Sequence, residues 1–385
     1  MKGATEHIVR KLRRILKGNP TASVLQVDLS NAFNTVDRSA ALAALSKDVP
    51  ELAAWCQFNY RTPAHLHCGE RLFSSTQGTQ QGDPLGPAMF AATIQPVLDE
   101  PPTVFRLLRQ VWYLDGGILV GEEAELRRVL EFLTARFATL GLKVNLSKCR
   151  IWSPAAVPSP SCPVPTPTWD EPKIVLGVPF GSQAAEDAFL KAELVKQRTF
   201  LEGLRRFPDP QVALTLLRVC LGAQKVTHLL RVMWGPHAVS FAEAMEAELR
   251  LTLEEILGCG LDDAAWLQCG LPVKLGGLGV SPPSLVHVTA FLSSSLCEVA
   301  GYFSPDGELV APDAALWKSL ACFQHHVGTS GGLWTQWSRD GSLPRAEALE
   351  NAGWLKQKSW MDLLHTTGVQ GRNRRAQQKA RRQKI

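Results

Sequence analysis

The feature that most constrains the fold of this chain is a pair of apolar, strand-like segments that each contain an aspartate. Ser23–Leu29 is apolar up to Asp28, and Val111–Val120 is two short apolar runs separated by Asp115-Gly116-Gly117. An apolar run of strand length predicts a strand inside a sheet, and two such runs around a glycine-containing turn predict a β-hairpin. We therefore expect a sheet that places one aspartate near a strand end and another at a hairpin tip.

Segments with helical periodicity alternate with these strands. Helices are predicted over residues 5–17, 37–46, 51–60, 84–98 and 122–140, with a short hairpin over 65–74 and short strands over 141–145 and 174–180. From about residue 184 the pattern is mostly helical, interrupted by a glycine-rich segment over 271–280. This order predicts an α+β fold, in which an antiparallel sheet backed by helices is followed by a mainly α-helical domain.

Basic charge is concentrated in the last fifteen residues. Gly371–Ile385 holds seven basic groups and no acid, so the rest of the chain is close to neutral although the formal net charge is +5. Such a cluster indicates salt-dependent, sequence-tolerant nucleic-acid binding, while a nuclear-localisation signal and a solvated disordered end are open alternatives. The candidate nucleic-acid contacts are Arg372, Arg374, Arg375, Lys379, Arg381, Arg382 and Lys384.

Cysteine spacing and hydropathy bear on the compartment. The nine cysteines occur singly, without a C-x-x-C pair, which is typical of a reduced protein in the nucleus or cytoplasm rather than a secreted one. No apolar run approaches the roughly 20 residues of a membrane span, so no membrane partner is expected. The basic, amphipathic segment Met1–Gly18 has features of a mitochondrial transit peptide, but a strand begins at Ser23, so we favour a packed helix.

Asp28, the segment Gln80–Leu85 and the hairpin Tyr113-Leu114-Asp115 occur in an order that resembles the palm of a reverse transcriptase, most closely that of non-LTR (LINE-type) retrotransposons. The resemblance implies that Asp28 and Asp115 are catalytic carboxylates. With the Leu29 carbonyl they would bind Mg²⁺ in a two-metal site for nucleotidyl transfer. It also implies an RNA template, a DNA primer and deoxynucleoside triphosphates as partners and substrates.

The resemblance assigns roles to further residues. Phe33 matches the aromatic position that closes against the nucleotide sugar, and Gln81 and Gly82 match the loop that approaches the incoming nucleotide and template. Lys148, within Leu140–Cys149, matches a lysine proposed to protonate the leaving pyrophosphate, which makes it a candidate general acid. A core phenylalanine and a surface lysine are the open alternatives for Phe33 and Lys148.

The resemblance extends beyond the palm to about residues 5–300. Segment 175–181 is similar to the hairpin that grips the primer end, and 228–231 and 271–279 are similar to parts of the helical thumb. Residues 153–172 are rich in proline, which predicts a loop or linker. The predicted domains are partial fingers and palm (1–152), Pro-rich loop or linker (153–172), primer-grip-like hairpin (173–183), helical thumb-like domain (184–300), C-terminal helical extension (301–370) and basic disordered tail (371–385).

Two departures from the family pattern bear on activity. Gly116 stands where the hairpin of the family has its second aspartate, and only 27 residues precede Asp28, too few for the fingers that hold the triphosphate. We therefore predict an RNA-directed DNA polymerase domain with weak or absent activity. The alternative is a catalytically degenerate, retrotransposon-derived protein that binds nucleic acid through its basic tail.

Overall fold

The structure is a computed structural model that describes residues 4–80, 82–155, 162–299 and 314–327. The chain divides into two compact units. The sheet unit comprises Leu12–Glu171, and the helical unit comprises Met1–Lys11 together with Pro172–Ile385. The predicted basic tail and most of the predicted C-terminal extension lie outside the described residues. No helix within the described ranges is long and apolar enough to span a membrane.

The sheet unit alternates helices and strands. The first helix, α1 (Ala4–Gly18), has residues in both units, and its side chains Ile8, Val9, Leu12 and Leu16 are buried, as expected of a packed helix. The remaining elements are β1 (Ser23–Ser30), α2 (Ala32–Thr35), α3 (Arg38–Asp48), α4 (Pro50–Tyr60), β2 (Ala64–Cys68), β3 (Arg71–Ser75), α5 (Gly86–Asp99), α6 (Pro101–Val104), β4 (Leu107–Tyr113), β5 (Gly116–Gly121), α7 (Glu123–Ala138), β6 (Lys143–Val144) and β7 (Arg150–Trp152).

Strand β1 lies at the centre of a five-stranded antiparallel sheet. The strand order is β4-β5-β1-β6, and β7 also pairs with β1. Along the edge of β1 that faces away from β5, β7 pairs with residues 24–26 and β6 pairs with residues 29–30. Residues 27 and 28 therefore have no strand partner on that edge. Strands β2 and β3 form a separate hairpin that is mostly exposed.

The alternation of β1 sends Leu25, Val27 and Leu29 to one face of the sheet and Gln26 and Asp28 to the other. Leu25, Val27 and Leu29 are buried in the main core, whereas Asp28 is only partly buried. Helix α7 contributes to the same core through side chains spaced for one helical face, and α5 contributes a second set. The core members from these two helices are Phe90, Ile94, Val97, Leu98, Leu126, Val129, Leu130, Leu133 and Phe137.

The helical unit begins with a small hairpin and continues as helices. Its elements are β8 (Lys173–Val175), β9 (Val178–Phe180), α8 (Gln183–Arg205), α9 (Pro210–Leu216), α10 (Thr227–Leu230), α11 (Pro236–Leu257), α12 (Asp263–Cys269), α13 (Pro283–Val299) and α14 (Ala314–Val327). A π-helical turn covers Leu217–Leu221. Together the two units confirm the predicted α+β class, with an antiparallel sheet backed by helices and a mainly helical second part.

Several local predictions were wrong in their details. Segment 174–180 is a hairpin and not the single strand that the apolar pattern alone predicted, because Leu176 and Gly177 both have positive φ values, 51° and 80°, and form a two-residue turn. The helix predicted from Pro84 begins at Gly86. The strand predicted over 141–145 is limited to β6, and β7 was not predicted, because three residues are too short to show a two-residue period.

Candidate metal and substrate site

Asp28 lies on the polar face of β1, directly opposite Gly116 of β5. The two residues are Cα partners in the antiparallel pairing of these strands. Partners in an antiparallel pair project to the same face of the sheet, so a side chain at position 116 would lie beside the Asp28 carboxylate. The adjacent Leu29 N–H donates to the carbonyl of Asp115 at 3.2 Å, which fixes the hairpin tip against the end of β1.

Asp115 lies at the tip of the β4–β5 hairpin. Tyr113 pairs with Gly116, so the turn consists of Leu114 and Asp115. Leu114 has φ 55°, a left-handed conformation that non-glycine residues seldom adopt and that is enriched at functional sites. Asp115 is half-buried, and its carboxylate has no hydrogen bond or ion pair to any residue that the structure describes.

Position 116 has room for a side chain. A Cβ added to Gly116 would meet only the Tyr113 carbonyl oxygen, at 3.6 Å, an ordinary van der Waals contact. The φ of Gly116 is outside the left-handed region that favours glycine. The backbone therefore does not require glycine here, and the fold would accommodate a side chain at this position.

The neighbouring Gly117 differs from Gly116 in this respect. A Cβ at Gly117 would lie 2.6–2.7 Å from three atoms of the Trp112 ring, on the core face of the sheet. Trp112 also contacts Phe137 edge to face, with ring centroids 5.6 Å apart. Packing requires glycine at position 117, whereas it does not at position 116.

The connection between β6 and β7 places Lys148 and Cys149 beside Asp28. The Asn145 N–H donates to the Asp28 carbonyl at 2.8 Å, and the Asp28 N–H donates to the Cys149 sulfur at 3.5 Å. The thiol is fully buried, and burial raises its pKa. Lys148 Nζ lies 3.7 Å from Asp28 Oδ2 and remains largely exposed. The structure thus brings together the sequence-predicted residues Asp28 and Lys148.

One oxygen of the Asp28 carboxylate lacks a hydrogen bond. Oδ2 is buried and accepts none from the described residues, and its nearest cationic group is the Lys148 ammonium. A buried carboxylate oxygen without a hydrogen-bond donor is costly unless a cation lies close to it. Asp28 therefore suits a divalent cation, but no group of three or more His, Cys, Asp or Glu side chains within the described ranges is arranged to hold one.

The predicted substrate-binding residues lie in and beside the connection between β3 and α5. Phe33 is partly buried and stacks on Phe90 with ring centroids 4.7 Å apart, and its carbonyl accepts the Thr79 N–H at 2.6 Å. Gly82 has φ 95° and no atom within 4 Å of an added Cβ, so its backbone can be approached closely. Gln81 lies outside the described residues, as do the seven basic candidates of the tail.

Sequence reasoning missed the residues that hold this connection in place. The Tyr60 hydroxyl donates to Asp83 Oδ2 and accepts the Gln80 N–H at 3.1 Å. Burial first, and then the hydrogen bond to Asp83, raises the pKa of Tyr60 to about 12. The buried Arg38 lies against the Tyr60 ring, 5.3 Å from its centroid. The available signals were a tyrosine that ends a helix and an aspartate next to the Gln-Gly pair.

Comparison with known proteins gives a family match and a relative. The family described as "Reverse transcriptase (RNA-dependent DNA polymerase)" matches residues 4–185. The retrotransposable element SLACS 132 kDa protein of Trypanosoma brucei gambiense is 23% identical over 296 residues, which are 72% of this chain and 24% of that protein. The matched region is thus about a quarter of the length of this curated relative.

Solved telomerase structures are also similar to this chain. Apo telomerase of Candida tropicalis is 12% identical with a TM-score of 0.42, over 92% of this chain and 55% of that chain. Telomerase of Candida albicans in complex with a fragment of telomeric RNA is 11% identical with a TM-score of 0.35, over 80% of this chain and 55% of that chain.

The sheet, the helices behind it and the hairpin at the end of β1 define a palm domain of the polymerase type. The family match over residues 4–185 and the retrotransposon relative then specify the kind of palm. The chain carries a reverse transcriptase domain over residues 4–185, similar to that of a retrotransposable element.

Proposed function

We propose that this chain is an RNA-directed DNA polymerase domain of the LINE type whose two-metal site is one carboxylate short. The observation that carries the proposal is the pairing of Asp28 with Gly116, which leaves no side chain where the family has its second hairpin aspartate. Asp115 lies next to this pair at the hairpin tip. The arrangement supports weak or absent nucleotidyl transfer by the chain as it stands.

The residues present suit a divalent cation only in part. Asp28 and Asp115 would provide carboxylate oxygens, and the Leu29 carbonyl is the further ligand implied by the family pattern. Mg²⁺ bound there would polarise the phosphoryl group and favour deprotonation of the attacking hydroxyl. Magnesium keeps several water and phosphate ligands, so two carboxylates permit weak binding, while a third would add charge that opposes release of the ion.

The other candidate residues would act on the substrates. Lys148, whose ammonium lies beside the Asp28 carboxylate, would donate a proton to the leaving pyrophosphate. Phe33 would limit the space beside the nucleotide sugar, because its ring is held in place by stacking on Phe90. The substrates are an RNA template, a DNA primer and deoxynucleoside triphosphates. Because the nine cysteines are free and scattered, we place the protein in the nucleus or cytoplasm.

A second candidate function is nucleic-acid binding without catalysis. Gly116 favours it, since loss of one charge-stabilising group in an active site costs about a hundredfold or more in rate. The basic residues of the tail would then supply affinity for phosphates. In a chain truncated after residue 370, RNA affinity should fall and depend less on salt. Unchanged binding would contradict a role of the tail.

Primer extension on an RNA template tests the main proposal. The parent chain should extend a DNA primer weakly or not at all in Mg²⁺. Gly116→Asp should extend it about a hundredfold faster or more than the parent, because the carboxylate is restored opposite Asp28. Gly116→Asn is the matched control, with nearly the same shape and no charge, and should stay at the parent level. Asp28→Asn should abolish extension in the Gly116→Asp chain.

Two outcomes would contradict the proposal. If the parent already extends primers as fast as Gly116→Asp, position 116 has no bearing on activity. If Gly116→Asp is as silent as the parent while its fold is intact, the chain lacks more than one ligand, and the nucleic-acid-binding function is favoured.

A further inference from the structure

Hydrogen bonds fix both the first and the second part of the connection between β3 and α5. On one side, the Gly78 N–H donates to the Val36 carbonyl at 2.9 Å and the Thr79 N–H donates to the Phe33 carbonyl at 2.6 Å. Gly78 lies so close to this neighbouring backbone that an added Cβ would be 2.5 Å from Asn34 and Phe33 atoms. The first part of the connection is therefore fixed against the segment that follows β1.

Arg38 fixes the same part through its guanidinium group. It is buried, and it donates to the carbonyls of Gly78 at 3.0 Å, Ser75 at 2.8 Å and Gln77 at 2.9 Å. It also donates to the Ser75 hydroxyl at 3.1 Å, so these acceptors are all neutral. Burial lowers the pKa of Arg38. An arginine that satisfies three carbonyls of one short segment allows that segment little freedom.

Tyr60 and Asp83 fix the second part of the connection. The Tyr60 hydroxyl accepts the Gln80 N–H and donates to Asp83 Oδ2, so it bonds both residues that flank the Gln81-Gly82 pair. Asp83 Oδ1 accepts the Leu85 N–H at 2.9 Å, immediately before α5 begins. The carboxylate of Asp83 is thus used within this connection and is not directed to the metal site.

The ring of Tyr60 is itself held in place. It is buried in a small core with side chains of α3, α4 and α5, among them Leu45, Cys56 and Met89. The guanidinium of Arg38 lies over the ring, 5.3 Å from its centroid. The hydroxyl is therefore presented to Gln80 and Asp83 from a rigid position.

We propose that the Arg38–Tyr60–Asp83 cluster positions the loop backbone at Gly82 for the incoming deoxynucleoside triphosphate, so that Tyr60 is a positioning residue for nucleotide binding. The inference rests on the proposed function, because it assigns this part of the loop to the nucleotide. Tyr60 acts through the loop backbone and does not touch the nucleotide. The affinity for nucleotide depends on it more strongly than the affinity for template and primer.

Tyr60→Phe in the full-length Gly116→Asp chain tests the proposal. The substitution keeps the packed ring and removes only the hydroxyl that bonds Gln80 and Asp83. The KM for deoxynucleotide in single-nucleotide incorporation should rise about tenfold, the equivalent of about one buried hydrogen bond. The value of kcat and the Kd for template–primer should change by less than about twofold on the same scale.

Thr93→Val is the matched control. Thr93 is also buried, and its hydroxyl donates to the Met89 carbonyl within α5, away from the loop. The variant loses one buried hydroxyl without touching the cluster, so it should leave the KM for deoxynucleotide unchanged. An unchanged KM in Tyr60→Phe, or an equal rise in Thr93→Val, would overturn the proposal and leave Tyr60 a stability residue.

Amide hydrogen exchange separates failure of this inference from failure of the proposed function. If the Gly116→Asp chain incorporates no nucleotide, the polymerase assignment fails, but the loop can still be measured. Tyr60→Phe should raise exchange at Gln80, Gly82 and Asp83 by about tenfold, with no such change in Thr93→Val. Unchanged exchange at these three amides would overturn the positioning role whatever the activity.

Discussion

Alanine substitutions at Gly116 and Gly117 should have opposite effects on stability, although the two residues are adjacent. At position 117 the added Cβ would lie 2.6–2.7 Å from three Trp112 ring atoms. Carbon atoms in contact are normally about 3.5 to 4.0 Å apart, so the ring would have to move by about 1 Å. Trp112 is backed by Phe137, which limits that movement. Overpacking of this kind costs about 1–3 kcal/mol in unfolding free energy.

At position 116 the added Cβ has an ordinary contact of 3.6 Å with one carbonyl oxygen, and φ does not require glycine. Replacing glycine by alanine at a compatible position stabilises a protein by about 0.4–1 kcal/mol, because the unfolded chain loses freedom. The two variants should therefore differ by about 1.4–4 kcal/mol. Urea unfolding followed by circular dichroism measures this difference.

The result that would refute this reasoning is a loss of stability in Gly116→Ala as large as that in Gly117→Ala. Glycine would then be required by the backbone at both positions, and Gly116 could not be interpreted as the replacement of a metal-binding aspartate. Equal m-values in the two variants serve as the control that both unfold from comparable native states.

The remaining predictions concern three residues near the candidate site. Because the raised pKa of Tyr60 lies near 12, its contribution to stability should be complete below pH 10 and lost as the pH rises through 12. The stability difference between the parent and Tyr60→Phe should shrink over that window, and a constant difference would contradict it. Lys148→Gln in the Gly116→Asp chain should lower the Mg²⁺ concentration needed for half-maximal activity, because it removes the ammonium 3.7 Å from Asp28. The same variant should slow nucleotide incorporation about tenfold or more, because the general acid is lost. If Lys148→Arg changed both quantities as much as Lys148→Gln, that result would argue against a general acid. Cys149→Ala should weaken Mn²⁺ binding, because the Asp28 N–H loses the sulfur to which it donates a hydrogen bond. Cys56→Ala, a change at another buried cysteine, should lower the stability of the protein without changing Mn²⁺ affinity. Equal Mn²⁺ affinities in both variants would count against a role of the Cys149 thiol.

The sequence predicted the elements that local pattern determines. The strand at Asp28 and the hairpin at Asp115 follow from apolar runs, and both form where the pattern places them, although the turn is Leu114-Asp115 and the glycines that were predicted to lie in it pair within β5. The α+β class follows from their alternation with amphipathic helices. These features depend on neighbours in sequence, and for that reason a single sequence is sufficient to find them.

The features that the sequence did not predict depend on contacts between residues that are distant in sequence. The register that puts Gly116 opposite Asp28 joins residues 88 positions apart, and the bond from Tyr60 to Asp83 spans 23. The Cys149 thiol replaces a strand partner only because β7 and β6 leave a gap along β1. No periodicity within either segment encodes such pairings, and a tyrosine at a helix end has no distinctive pattern.

In the proposed function, the metal site of this reverse transcriptase domain is one carboxylate short because position 116 is glycine. Titration of the full-length chain with Mn²⁺, followed by electron paramagnetic resonance, tests it without requiring activity. We predict that Gly116→Asp binds Mn²⁺ about tenfold tighter or more than the parent, a gain of at least about 1.4 kcal/mol from one further carboxylate, and that Gly116→Asn binds like the parent. Equal Mn²⁺ affinity in the parent and in Gly116→Asp would contradict the claim.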